Sequence, residues 1–319
     1  VPRRVLRPFG FATLGCAAVL LLTACGGADT AKQTFPRTTI PGATEPDAAI
    51  DPRLAADRLR LVDPCALLGN LPLDRFGGAH GKPSIPVDPG DCDQDLGDGK
   101  QIGHYAEVQL GTEIDPEDTK LSSHVEGLPS SESDSGECSE KILTDSHAKR
   151  GIWLRYVDGQ TVNCPAARTL ATELIRTLRQ NPPQRTGRGS VTAARACATV
   201  DGGTLKAVLG ETPAGKGTGL FDCKWRGGSF GLELAFQIGE AITVIGDKDK
   251  VDLGNGIAAK KQAPPGAAGC ELTWAHKPLA DGQSELVTVS LTDELRAGGD
   301  ICPKAAQVAK LVVGKLPRP

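Results

Sequence analysis

Gly151-Ile-Trp-Leu-Arg-Tyr-Val157 leads on to Cys164-Pro-Ala-Ala-Arg-Thr-Leu-Ala-Thr-Glu-Leu-Ile-Arg-Thr-Leu178, and this pair of segments decides the fold. The first reads as a strand. In the second, Ala167, Leu170, Ala171, Leu174, Ile175 and Leu178 recur at helical spacing on one face, with Pro165 in the first turn, where its missing N–H is not needed. The same order returns near the end of the chain. Glu285-Leu-Val-Thr-Val-Ser-Leu291 reads as a strand, and Cys302-Pro303 then opens a helix with Ala305, Val308, Ala309 and Val312 on one face.

The cysteines extend this echo into a repeat. Of ten, Cys16 lies in an apolar leader and Cys25 at its end. Eight remain: Cys65, Cys92, Cys138 and Cys164, then Cys197, Cys223, Cys270 and Cys302. The gaps are 27, 46 and 26 in the first set and 26, 47 and 32 in the second, so two of three nearly agree. The flanks agree as well: Asp91-Cys92-Asp93 matches Asp222-Cys223-Lys224, and Gly136-Glu-Cys138 matches Gly269-Cys270-Glu271.

The leader places the chain outside the cytoplasm. Arg3, Arg4 and Arg7 precede an apolar stretch from Phe9 to Leu22, too short as a helix to cross a hydrocarbon core of ~30 Å. Leu22-Thr-Ala-Cys25-Gly26 resembles the lipobox of bacterial lipoproteins, cut before a cysteine that carries diacylglycerol. The expectation is a signal peptide over 1–24 and a membrane partner reached through lipid on Cys25, on the outer face of the cell membrane. Val1 reads as a GTG start, and the Ala-, Gly- and Arg-rich composition suggests a high-G+C bacterium. Residues 25–60, rich in Thr, Pro, Ala and Gly, read as a lipidated flexible tether.

In an oxidising compartment four cysteines per unit imply two disulfides each; zinc competes poorly because no C-x₂-C knuckle is present. Three pairings are open in each unit. First with second and third with fourth is preferred, because each bond then pins a terminal helix to a sheet. Alternating strand candidates such as Tyr105–Leu110 and Phe230–Ile238 follow one another without helical crossovers, so the sheets are antiparallel. The fold class is α+β: two tandem units, each an antiparallel sheet flanked by an N-terminal and a C-terminal helix. They cover 61–180 and 191–319, joined by a polar Pro/Gly linker over 181–190.

Asp63-Pro64-Cys65, Cys223-Lys224-Trp225 and the late Cys-Pro helix resemble the actinobacterial DUF3558 lipoprotein family, a domain of unknown function, in two tandem copies. That resemblance implies a lipobox, a tether, an early Asp-Pro-Cys and a later Cys-x-Trp, and it supplies no catalytic residue. The first unit has Cys92-Asp-Gln where Trp is expected, and the second lacks Asp-Pro before Cys197.

Chemistry is sparse. A net charge of -3 and 4% aromatics, with no basic stretch among aromatics, argue against nucleic acid. His80, His104, His124, His147 and His276 show no metal-ligand spacing, so neither a metal nor another cofactor is expected. Gly210-Glu-Thr-Pro-Ala-Gly-Lys216-Gly217-Thr218 resembles a P-loop but has Gly where Ser or Thr should follow Lys, and reads as a turn. Ser130–Glu137 reads as a solvated acidic loop, and Trp153, Trp225 and Trp274 as core residues, the latter two packing on disulfides. No catalytic grouping is found, so the expectation is a non-catalytic module that binds a protein or small-molecule ligand in the cleft between two similar units. A carrier of apolar envelope molecules and an extracellular hydrolase are the alternatives.

Overall fold

A computed structural model describes residues 49–319 except 78–82, 86, 97–102, 116–119, 135–136, 160–162, 186–187, 243–246, 265–267 and 296–299. The leader, Cys16, Cys25, His80 and the tether as far as residue 48 lie outside the described residues.

The Asp-Pro-Cys motif has a local cause. Asp63 caps the first turn of a short helix, its carboxylate accepting from Cys65 N and Ala66 N at 3.0 Å, and Pro64 occupies a position that needs no donor. Two helices lie here, α1 (Ala56–Leu59) and α2 (Pro64–Gly69). Six strands follow: β1 (Asp91–Asp95), β2 (His104–Glu113), β3 (Ser123–Val125), β4 (Leu128–Ser133), β5 (Cys138–Asp145) and β6 (Arg150–Asp158). The unit ends in α3 (Cys164–Gln180). The second unit repeats the order with α4 (Ala196–Thr199), α5 (Gly202–Leu209) and β7 (Asp222–Gly227), then β8 (Phe230–Glu240) and β9 (Lys250–Gly254). It closes with β10 (Ile257–Gln262), β11 (Gly269–Pro278), β12 (Gln283–Asp293) and α6 (Cys302–Lys315).

Both sheets have six antiparallel strands in the same spatial order, β1-β2-β6-β5-β4-β3 and β7-β8-β12-β11-β10-β9. The expected α+β duplication is therefore present at the level of topology. Cys65 is bonded to Cys92, Cys138 to Cys164, Cys197 to Cys223 and Cys270 to Cys302, so each bond joins a helix or its start to a strand. Where Asp-Pro is missing in the second unit, α4 is one turn with no side-chain cap, and Asp201 caps α5 instead through Thr204 N at 2.9 Å.

One face of each sheet is dry. In the first, Val108, Leu154 and Ile152 are buried against Leu170, Leu174, Ile175 and Leu178 of α3. Those four α3 side chains contribute about 6–12 kcal/mol of gross burial, an upper bound before conformational entropy. Glu140 interrupts this surface: it is fully buried and bonded to Arg168 Nη1 at 3.1 Å, and burial pushes its carboxyl up against the pull of Arg168. Counting from the disulfides, the second unit has Leu272 and Ala306 at these positions, so the repeat does not need the ion pair to fold.

Four expectations change. The fold takes in residues well before 61: Ile50 N donates to Thr144 O at 2.8 Å, and Leu54 and Leu59 are buried, because apolar side chains spaced through 54–62 close the end of α3. The 181–190 linker is partly built into the fold, with Asp63 N bonded to Pro183 O and Arg185 N to Leu61 O. Ser130–Ser133 belong to β4 rather than a solvated loop, since Ser130 pairs with Ile142 and lies inside the sheet's dry face. Trp153 is no core residue: it shares a face with Arg155, away from the helices, under the cations of Lys141 and Arg155 at 5.4 and 5.2 Å. Trp225 and Trp274 are buried as expected; a side chain on Gly215 would meet both Cys223 Sγ and Trp225 Nε1 at 2.6 Å.

The two units share one apolar core and fall in one compact body. Backbone joins the two units where Ile238 N of β8 donates to the O of Val87, ahead of β1, at 2.8 Å. Arg60 Nε donates to Leu220 O at 3.2 Å, and Arg150 Nη2 to Gly217 O at 3.2 Å.

Candidate functional site: an acidic cleft between the two sheets

The face of each sheet that carries no helices is polar, and the two faces meet along a cleft of about 780 Å³. Its first wall follows from strand alternation. Cys92 and Gln94 point inward from β1, so Asp91, Asp93 and Asp95 point outward together. Register sets Gln109, Glu107 and Tyr105 of β2 opposite them, and Arg155 of β6 opposite Glu107. Arg155 is fully engaged: it bonds Glu107 Oε2 at 2.6 Å and Glu137 Oε2 at 2.7 Å, and stacks 5.3 Å from the Tyr105 ring. Gln109 holds the other Glu107 oxygen at 2.6 Å.

The second unit supplies Thr218, Gly219, Phe221, Asp222, Glu233 and Gln237. Asp222 accepts from Thr218 N, Thr218 Oγ1 and Gly219 N at 3.0, 2.7 and 2.6 Å, which folds the P-loop-like stretch into a tight turn. That stretch follows α5 and precedes β7, and Lys216 pairs with Lys224 by backbone, so it has no P-loop setting.

Among the described residues the lining carries seven carboxylates, Asp88, Asp91, Asp93, Asp95, Glu107, Asp222 and Glu233, against the one guanidinium of Arg155. Without the three arginines of the leader the chain carries about -6, which the formal charge of this lining matches, so the net negative charge is concentrated here. The carboxyls respond to one another. Burial, with the charges of Asp88, Glu107 and Asp93, pushes Asp91 up to about 8. Burial first, then Glu107, raises Asp93, whose Oδ1 is buried with no hydrogen-bond partner. Burial and Asp222 raise Asp88, against the Gly90 N–H and Arg185.

A stability prediction follows. The folded state holds the Asp91 proton more tightly than the unfolded chain, so stability falls as pH rises from about 4 to about 8. Asp91→Asn removes that loss. Thermal melts should show the variant more stable than the parent by at least about 1 kcal/mol at pH 8.5 and level with it near pH 4. Equal melting curves at pH 8.5 would count against a strained carboxyl at this position.

Of the residues singled out in the sequence, the eight cysteines support the walls by anchoring β1, β5, β7 and β11. The described histidines do not gather: His104 is buried 3.5 Å from Asp158 and edge-on to Tyr156, and His276 bonds Gly189 O at 2.9 Å. Among the described residues no group of three or more His, Cys, Asp or Glu converges as a metal-ligand set. The cleft carboxylates had a signal that the cysteine frame concealed: Asp91-Cys-Asp-Gln-Asp95 is a period-two acidic stripe.

Fold and site together define a class: a duplicated, disulfide-pinned α+β protein with an acidic cleft between its halves. No protein-family model matches the chain, and no curated protein matches it. A solved structure, the di-domain ARO/CYC StfQ from the steffimycin biosynthetic pathway, aligns over 80% of this chain and 96% of its own at 11% identity. Its TM-score of 0.15 carries no argument.

Proposed function

We propose that the chain is an exported lipoprotein, held to the outer face of the membrane by lipid on Cys25, and that its two units form a non-catalytic binding module with the ligand in the cleft between them. The anchor rests on Leu22-Thr-Ala-Cys25-Gly26. Among the described residues no helix is long and apolar enough to cross a membrane. Kinship with the DUF3558 lipoproteins belongs to the same proposal and rests on Asp63-Pro64-Cys65 and Cys223-Lys224-Trp225.

The observation that carries the binding reading is the cleft lining, seven carboxylates to one arginine among the described residues. Such a field draws in and retains a ligand with exposed positive charge, either a basic protein segment or a small amine. It disfavours an apolar cargo, which would desolvate those carboxylates without pairing them. The test uses hexalysine as probe at low ionic strength. The parent should bind it, and Asp93→Asn/Asp95→Asn/Glu233→Gln should bind at least tenfold more weakly. Equal binding by both proteins would reject the cleft as the seat.

The raised Asp91 beside ionised carboxylates is the one observation that favours a hydrolase, since a protonated and an ionised carboxyl can share acid–base work. Turnover of a glycoside, ester or peptide that is abolished by Asp91→Asn would replace the binding reading.

A further inference from the structure

A second cavity, of about 630 Å³, opens where the described chain enters the fold. It is the chemical opposite of the cleft. Arg53, Arg58 and Arg179 line it, its floor is Leu59, Val62 and Leu178, and no acidic side chain lines it among the described residues. Asp51 ties down two of the cations, Arg53 at 3.0 Å and Arg179 at 2.8 Å, and these contacts hold its own carboxyl down at about 2. Arg58 is exposed and makes no ion pair among the described residues. Two of the exposed large apolar side chains, Ile50 and Leu61, also lie in this entry segment, at 41% and 45% exposure.

We infer that this basic, apolar-floored face docks on the anionic surface of the membrane that holds the chain; the inference rests on the lipid-anchor reading above. The described chain begins at Ala49, and the segment back to Cys25 spans at most roughly 80 Å even when fully extended. The fold is thereby confined near the bilayer, where even a weak contact is populated through high effective concentration. Arginines near an anionic leaflet are attracted to phosphate, and an exposed Leu beside them can enter the headgroup boundary. The cleft, rich in carboxylates, would be repelled from the same surface.

The test takes residues 26–319, which keep every described element but lack the anchoring cysteine, and sediments them with vesicles. Partition to phosphatidylglycerol vesicles should exceed that to phosphatidylcholine at least tenfold and fall as salt rises. Arg58→Glu should weaken it about fivefold and Arg58→Glu/Leu61→Asp further, while Lys310→Glu on α6 changes little. Equal partition to the two lipids, or undiminished binding by the double variant, overturns the inference. Mass spectrometry of the Cys25 peptide from cells reads the anchor separately. A lipidated Cys25 with no vesicle binding leaves the anchor standing and removes the docking face. Vesicle binding with an unmodified Cys25 does the reverse.

Discussion

Replacing Cys270 and Cys302 together by alanine should cost about 3–4 kcal/mol, a fall of roughly 7–12 °C in Tm for a protein of this size. The bond closes a separation of 32 residues, the longest of the four, so its removal returns the most freedom to the unfolded chain. The folded side adds to this. α6 buries only Ala305, Val308, Ala309 and Val312, whereas α3 buries seven side chains, the larger Leu170, Leu174, Ile175 and Leu178 among them. Both helices have a side-chain acceptor at their start, Asp300 Oδ1 for Cys302 N at 3.0 Å and Asn163 Oδ1 for Ala166 N at 3.3 Å, so the difference lies in the apolar faces. The helix with the smaller apolar face therefore depends more on its disulfide. Removing Cys138 and Cys164 should cost less, although the two loops differ by only six residues in length. Thermal melts of both double variants, with non-reducing peptide maps to show the other bonds intact, check the order. A loss under 1 kcal/mol for the Cys270 and Cys302 pair would show that α6 is held by packing alone.

The repeat was legible because it is written in residues that can be counted. Cysteines at matched gaps, a Pro in each terminal helix and period-two strands all survive duplication, and they carry topology. Features that depend on the two units meeting were not legible. Nothing in Leu220 or Gly217 alone shows that Arg60 and Arg150 donate to their carbonyls, and nothing around Val87 shows that it extends β8. The tether boundary was misplaced because Leu54, Leu59 and Val62 are too few to show periodicity, yet each is buried once α3 supplies a surface. Trp153 was misplaced because a strand position does not say which face is dry; its register with Gln109 and Lys141 does. The acidic stripe on β1 is readable as Asp91, Asp93 and Asp95 at alternate positions, but a period-two stripe alone does not show that a second unit faces it.

Gly111→Ala should destabilise the protein by about 3 kcal/mol and should do so at the seam between the units. Gly111 forms a bulge in β2, where pairing with β6 shifts between Leu110 and Thr112, and its φ of +76° is strained for any residue with a side chain. An added Cβ would overlap Leu220 Cγ and lie 2.6 and 2.8 Å from that residue's methyl groups. Leu220 is buried and its carbonyl is held by Arg60, so it can yield only by moving the loop that also carries Phe221 and Asp222 into the cleft. Backbone strain of about 1–3 kcal/mol and the displaced leucine add in the same direction. A double-mutant cycle separates them. Leu220→Ala alone should cost about 2–4 kcal/mol by opening a cavity, and Gly111→Ala on that background should cost only the strain, so the pair is less than additive. Because Leu110, Gly111 and Thr112 also line the cleft, the single variant should bind hexalysine more weakly even though it alters no charge. Undisturbed binding in a destabilised Gly111→Ala protein would show that the width of the cleft is set elsewhere than at this seam.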